Sequence, residues 1–259
     1  MALFTVLMVG PSVFAMSPIS LTDQQARDLG ERIWRNETGG DWRKLVWWNE
    51  GEAFPSVGIG HFIWYPPAHQ ERFVESFPRF VDMMRANRVP MPDWLDVSPV
   101  PDAPWPNRDA WYASRDKPRF RQLEGWLRDT VDWQARFIID RARHGLPQVL
   151  AAVNRFTRQA ANDAVDELLS SPHGVYVLVD YINFKGEGTN PSERYDGEGW
   201  GLVQVLEWMQ PSGKGVVFQR FADAAEAVLR ARVDNAPAAR REYRWLPGWT
   251  RRLNTYRIP

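Results

Sequence analysis

Glu37 stands at the end of an apolar-periodic segment, where Thr38-Gly39-Gly40 breaks the pattern. A carboxyl group there faces the negative end of the helix dipole, and partial burial against Trp34 or Trp42 would further disfavour its ionised form. Both effects push it toward service as a general acid. Glu50 and Glu52 flank Gly51, and Ser56 precedes the turn Gly58-Ile59-Gly60-His61. Cleaving a glycosidic bond takes one protonated carboxyl at the leaving oxygen and a carboxylate or activated water at the anomeric carbon. Glu50 or Glu52 is the candidate for the second carboxylate, and the Ser56 hydroxyl for holding the water. Gly58 and Gly60 permit positive φ and a close substrate approach. His61 either orders the turn through hydrogen bonds or titrates near neutral pH. Each residue alone reads more simply as a surface or turn residue. The ordered series of Glu, acid, hydroxyl and glycine turn carries the chemical reading.

A second group lies between Asp180 and Gln204. Tyr181, Asn183, Lys185, Glu187 and Gln204 follow or interrupt an apolar run and offer the donors and acceptors that a sugar or peptide needs. Glu187 is also a candidate carboxylate for catalysis. The glycines here have neither the dinucleotide-binding spacing nor a phosphate-loop ending, and the calcium-loop register around Asp196 and Glu198 is absent. The plainer alternative is a polar loop that caps its flanking helices.

The elements that would position these groups are mostly helical. Ser20 or Thr22 opens a helix whose apolar positions Ala26, Leu29, Ile33 and Trp34 run to Asn36. Leu45 to Trp48 is a short apolar run, and Glu50 to His61 reads as a turn-rich small hairpin. Gln70 to Asn87 predicts a helix kinked at Pro78. Residues 90–118, rich in Pro, Asp and Trp, predict a long loop crossing the surface or bordering a cleft. Helices are expected over Phe120 to Arg143, Leu146 to Phe156, Ala160 to Ser170, Leu202 to Met209 and Phe218 to Val233. The apolar Val175 to Ile182 stretch predicts a buried helix, and Asn183 to Glu198 a glycine-rich loop. Glu242 to Pro259 reads as an irregular, Trp-rich tail.

Composition narrows the function classes. The 259 residues balance 32 basic against 32 acidic side chains, which argues against a nucleic-acid partner. The basic patches Ala239-Arg240-Arg241 and Arg251-Arg252 read as a solvated face. No cysteine is present, which removes disulfides and thiolate chemistry, and with four histidines neither a metal centre nor another cofactor is expected. Fourteen Trp serve either as core filling or as sugar-stacking surfaces. Met1 to Ala15 carries no charge and is too short to span a bilayer. It resembles the apolar region of a secretory signal, so residues 1–19 are expected to direct export and residues 20–259 to form one domain with insertions.

Glu37, Glu50 and the Ser56-Val57-Gly58-Ile59-Gly60-His61 series together resemble the phage-type lysozymes of glycoside hydrolase family 24. Glu37 matches that family's helix-end catalytic Glu, Glu50 its Asp, and Ser56 its Thr, with Glu52 the rival of Glu50. Asn183-Phe184-Lys185-Gly186 is similar to a segment lining the family's helical lobe. The resemblance covers mainly residues 30–65. It implies a lysozyme-like α+β fold, mainly helical, with a small β-hairpin or sheet subregion, a larger helical lobe and a cleft between them. It also implies cleavage of β-1,4 bonds in peptidoglycan by a periplasmic or secreted monomer without stable membrane insertion. A lytic transglycosylase and a catalytically inactive wall-binding protein are the alternatives.

Overall fold

The computed structural model describes residues 21–69, 74–209 and 215–257. The segment read as an export signal lies outside them. The fold is α+β and mainly helical, with one small antiparallel sheet and a separate two-stranded hairpin.

Helix α1 (Asp23–Thr38) begins where Thr22 accepts from the Gln25 N–H while the Gln25 side chain accepts from the Thr22 N–H, a reciprocal cap that satisfies two otherwise orphaned donors. Gly39, in the left-handed conformation, ends it. The sheet follows as β1 (Val46–Trp47), β2 (Ser56–Val57) and β3 (Phe62–Ile63), with β2 central. Its register pairs Ser56 with both Trp47 and Ile63.

Helix α2 (Phe77–Ala86) is shorter than the sequence predicts. Pro78 lies in its first turn, where a missing N–H costs nothing, and so starts the helix instead of kinking it. Gln70 to Phe73 lie outside the described residues. The long loop over 90–118 is a correction in part. Asn107 caps α3 (Arg108–Ala113) by accepting from the Ala110 N–H, and Trp105 and Trp111 turn inward against Phe120. Trp64 stacks on Trp94 and meets Trp105 edge-on. The segment therefore fills the core under the sheet. Buried Trp48, Trp64 and Trp111 decide most of the tryptophan question in favour of packing.

The expected long helix over 120–143 is two: α4 (Pro118–Asp129) and α5 (Val131–Ala152). They break at Thr130, whose hydroxyl turns back to donate to the Trp126 carbonyl. Helix α5 runs on through Pro147 and absorbs most of the separate helix expected from Leu146. Then come α6 (Arg158–Leu169), the buried α7 (Pro172–Lys185), the hairpin β4 (Arg194–Tyr195) and β5 (Glu198–Gly199), α8 (Leu202–Trp208) and α9 (Val217–Asn235). The tail is not irregular. Leu246–Asn254 forms α10, with Pro247 in its first turn.

One contiguous apolar core joins all of this. Helix α5 is its axis, packed against α1, α2, α7 and α8. Gly30 sets the α1–α5 approach: a methyl there would come within 2.9 Å of the Ala135 Cβ, so a side chain would force the helices apart. No described helix is long and apolar enough to cross a membrane.

Candidate active site

The C-terminal turn of α1 places Glu37 beside the Gly58 to His61 turn on one side and the end of α7 on the other. Its side chain is only 10% exposed. One carboxylate oxygen accepts from the Arg252 guanidinium at 2.7 Å and from the Asn183 amide at 3.1 Å. The other lies 3.5 Å from His61 Nδ1. Helix dipole and burial led the sequence to predict a carboxyl pushed toward its neutral form. Burial does push it that way, but Arg252, His61 and the Asn183 hydrogen bond together outweigh it and hold Glu37 below the ordinary carboxylate range. Resting Glu37 is an ionised carboxylate.

Arg252 is the largest surprise. The sequence assigned it to a solvated basic face, yet its side chain is 7% exposed and lies at the centre of the network. It binds Asp180 with two parallel hydrogen bonds, Nε to Oδ2 and Nη2 to Oδ1, both 2.8 Å. This is the fork geometry that guanidinium and carboxylate share. Asp180 is fully buried in α7 and also accepts from the Tyr256 hydroxyl at 2.6 Å. Asn36, next to Glu37, donates to Tyr176 and reaches both Asp180 oxygens at 3.4 Å. One guanidinium thus serves two carboxylates, and neutral donors satisfy the remainder.

The glycine turn is held from below. Gln134 of α5, wholly buried, accepts from the Ile59 N–H at 2.8 Å and donates to the Leu127 carbonyl. Gly58 has φ +73°, and a Cβ there would strike the Gln134 carbonyl at 2.6 Å. His61 itself holds φ +46°, a region that costs a residue with a Cβ roughly 1–2 kcal/mol. That conformation aims its ring at Glu37. His61 and Asn183 line a small cavity of about 130 Å³, with Gly60, Ile63 and Arg141 among its other walls. The recess lies between the turn and strand around His61 and Ile63 and the end of α7, and two of its walls, His61 and Asn183, are partners of Glu37.

The other predicted residues fall into three groups. Glu50 and Glu52 are exposed in the turn between β1 and β2, where Glu52 accepts from Asn49, and neither joins the Arg252 network. Ser56 is buried on the central strand. Lys185 and Glu187 lie just beyond Asn183. Lys185 rests on aromatic rings, and the Glu187 carboxylate lies over Gly145 of α5. Tyr181 and Gln204 need correcting as substrate contacts. Tyr181 is fully buried and donates to the Trp200 carbonyl. Gln204 accepts from Gly201 N–H and donates to the Gly188 carbonyl, fastening the loop before α8. Both are structural because the helix phase turns them inward.

Arg252, Asp180, Tyr256 and Gln134 were not anticipated as site residues. A buried acid inside the apolar Val175 to Ile182 run was the one usable hint, since such a charge demands a partner. Compared with protein-family models, curated proteins and solved structures, the chain matches none of them.

Proposed function

We propose that this protein is a lysozyme-like glycosidase that cleaves β-1,4 bonds of an amino-sugar polymer, with peptidoglycan as the substrate class and Glu37 as the acid. The observation that carries the reading is the Glu37 carboxylate, enclosed between Arg252, Asn183 and His61, the last two of which line a recess between sheet and helices. Asn183 and His61 present polar groups where a sugar would lie. Arg252 keeps a full counter-ion in Asp180 when Glu37 takes up a proton, so protonating Glu37 leaves no unpaired guanidinium behind. That makes the acid form reachable from an ionised resting state.

The second group is less closely assembled. In a hydrolase, Glu50 or Glu52 would steer water to the anomeric carbon, with Ser56 helping to place it. Their exposed turn stands apart from the Arg252 network, and this favours a second reading in which one acid suffices. In a lytic transglycosylase, Glu37 protonates the leaving oxygen and then takes the proton from the sugar's own 6-hydroxyl as that oxygen closes on the anomeric carbon.

Digestion of purified peptidoglycan followed by mass analysis tests both. Hydrolysis adds one water across the cut bond, whereas the intramolecular route gives an anhydro product one water lighter. Glu37→Gln should lose about 10²- to 10⁴-fold in rate while its melting temperature stays within a few degrees of the parent. Full activity in a folded Glu37→Gln protein would overturn the assignment. Absence of cleavage by the parent protein would leave a wall-binding role as the better account.

A further inference from the structure

A second cavity, about 490 Å³, lies between the end of α7, the β4–β5 hairpin, α9 and the segment before α10. Lys185, Glu193, Tyr195, Trp200, Arg232 and Arg240 are among its walls. It adjoins the Glu37 site directly. Asn183, which binds Glu37, and Lys185, which faces this cavity, are two residues apart on α7. The Phe184 ring between them carries the Arg252 guanidinium at 4.2 Å and the Lys185 ammonium at 4.1 Å.

The charges here are unevenly satisfied. Glu242, buried, accepts from Arg232, Arg240 and the Tyr195 hydroxyl. Burial pushes its carboxyl up, but those donors more than compensate and hold it near 2. One anion is therefore shared by two guanidinium groups. Arg240 commits only its Nε to Glu242, and its side chain is half exposed. Lys185 has no carboxylate or hydrogen-bond partner among the described residues. Its ammonium lies 3.5 Å from the Trp249 ring centroid. Burial first, then Arg232 and Arg252, push its pKa well down, and a carboxylate placed beside it would favour the charged form.

We propose that this cavity is a carboxylate-binding subsite, in which Lys185 and Arg240 receive an acidic group of the peptide that the amino sugar carries. The inference rests on the amino-sugar reading of the Glu37 site and names the substituent that it selects. A cavity of this size admits a short peptide segment. Glu193 on the same wall offers a partner for a cationic group and repels a dianion, which favours a peptide carboxylate over a phosphate.

The test is a binding titration that needs no catalysis. N-acetylmuramoyl-L-alanyl-D-isoglutamine, which carries one free carboxylate, and the same compound with that carboxylate amidated are titrated against the full chain, read by tryptophan fluorescence. The carboxylate probe should bind about tenfold more tightly than the amide, the scale of one charge-assisted hydrogen bond. Lys185→Met should bring that ratio close to one, and Lys185→Arg should keep it. Arg240→Gln, at a half-exposed side chain whose loss leaves Glu242 its Arg232 and Tyr195 donors, should reduce the ratio severalfold. Equal affinity of the parent for both probes, or an unchanged ratio in folded Lys185→Met and Arg240→Gln, overturns the subsite. Peptidoglycan cleavage is scored separately. A parent that prefers the carboxylate but cuts no wall keeps the subsite and loses the glycosidase reading, and the converse pattern does the reverse.

Discussion

Replacing Arg252 by Met removes the charge that the Glu37 network is built around while keeping most of the side-chain volume. Asp180 would then be buried without a counter-ion, and Glu37 would be left with His61 and Asn183 alone. Breaking a buried pair by deleting one partner costs about 3–5 kcal/mol. The lower end applies here, because Asn183 still donates to Glu37, and Tyr256 and Asn36 still donate to Asp180. For a domain of this size about 3 kcal/mol corresponds to a melting-temperature drop of roughly 6–12 °C near neutral pH. Its pH dependence identifies the cause. In the parent, Glu37 lies below its ordinary value of 4.5, so it contributes stability that is present above that value and lost as pH falls through the folded one. In Arg252→Met, burial without the guanidinium raises the Glu37 carboxyl above its unfolded value. The variant therefore carries its penalty at high pH and sheds it as pH falls through the raised value. The gap between parent and variant should narrow from about pH 7 to about pH 4 in circular-dichroism melts. Adding Asp180→Asn removes one orphan charge and should return about 1–2 kcal/mol. A drop below about 2 °C near neutral pH, or a gap that widens on acidification, would refute the buried-network account.

Two further variants probe the glycine turn. His61→Gly relieves the positive φ and should raise stability by about 0.5–1 kcal/mol in thermal melts, while cleavage falls because the ring facing Glu37 is gone; a loss of stability would show that the ring's contacts outweigh the backbone strain. Gln134→Ala orphans the Ile59 N–H in the core and should cost about 1–3 kcal/mol, with amide exchange at Ile59 accelerating before that of α5. Unchanged exchange at Ile59 would mean that another group holds the turn.

Local features reached as far as local signals can. The reciprocal Thr22–Gln25 cap and Gly39 bracket α1 closely enough to put Glu37 on its last turn. The glycines between Gly51 and Gly60 foretold a small sheet region, and Asn183 was picked out by its position after an apolar run. The failures share one physical cause. Arg252 meets Glu37 across a separation of 215 residues, and nothing in Thr250-Arg251-Arg252-Leu253 distinguishes a buried arginine from a solvated one. Tyr181 and Gln204 were misassigned because residue type gives polarity but not direction. The burial of Trp105 and Trp111 depends on the tertiary packing of a segment with no repeating pattern of its own.

The network also explains why the C-terminal helix belongs to the site and not merely to the fold. Helix α1 brings one carboxylate, and α7 brings a second within reach of the same space. Two such anions in a low-dielectric interior would repel strongly and could not both remain ionised. Only a cation delivered from a third element resolves this, and α10 delivers it with Tyr256 close behind as a neutral donor. Because Asp180 takes two of the guanidinium's hydrogen bonds and Glu37 takes one, the pairing is unequal. Asp180 is the standing counter-ion, and Glu37 is the carboxylate bound by the single hydrogen bond. Arg252 therefore lets two carboxylates from different helices stay ionised side by side in a buried site.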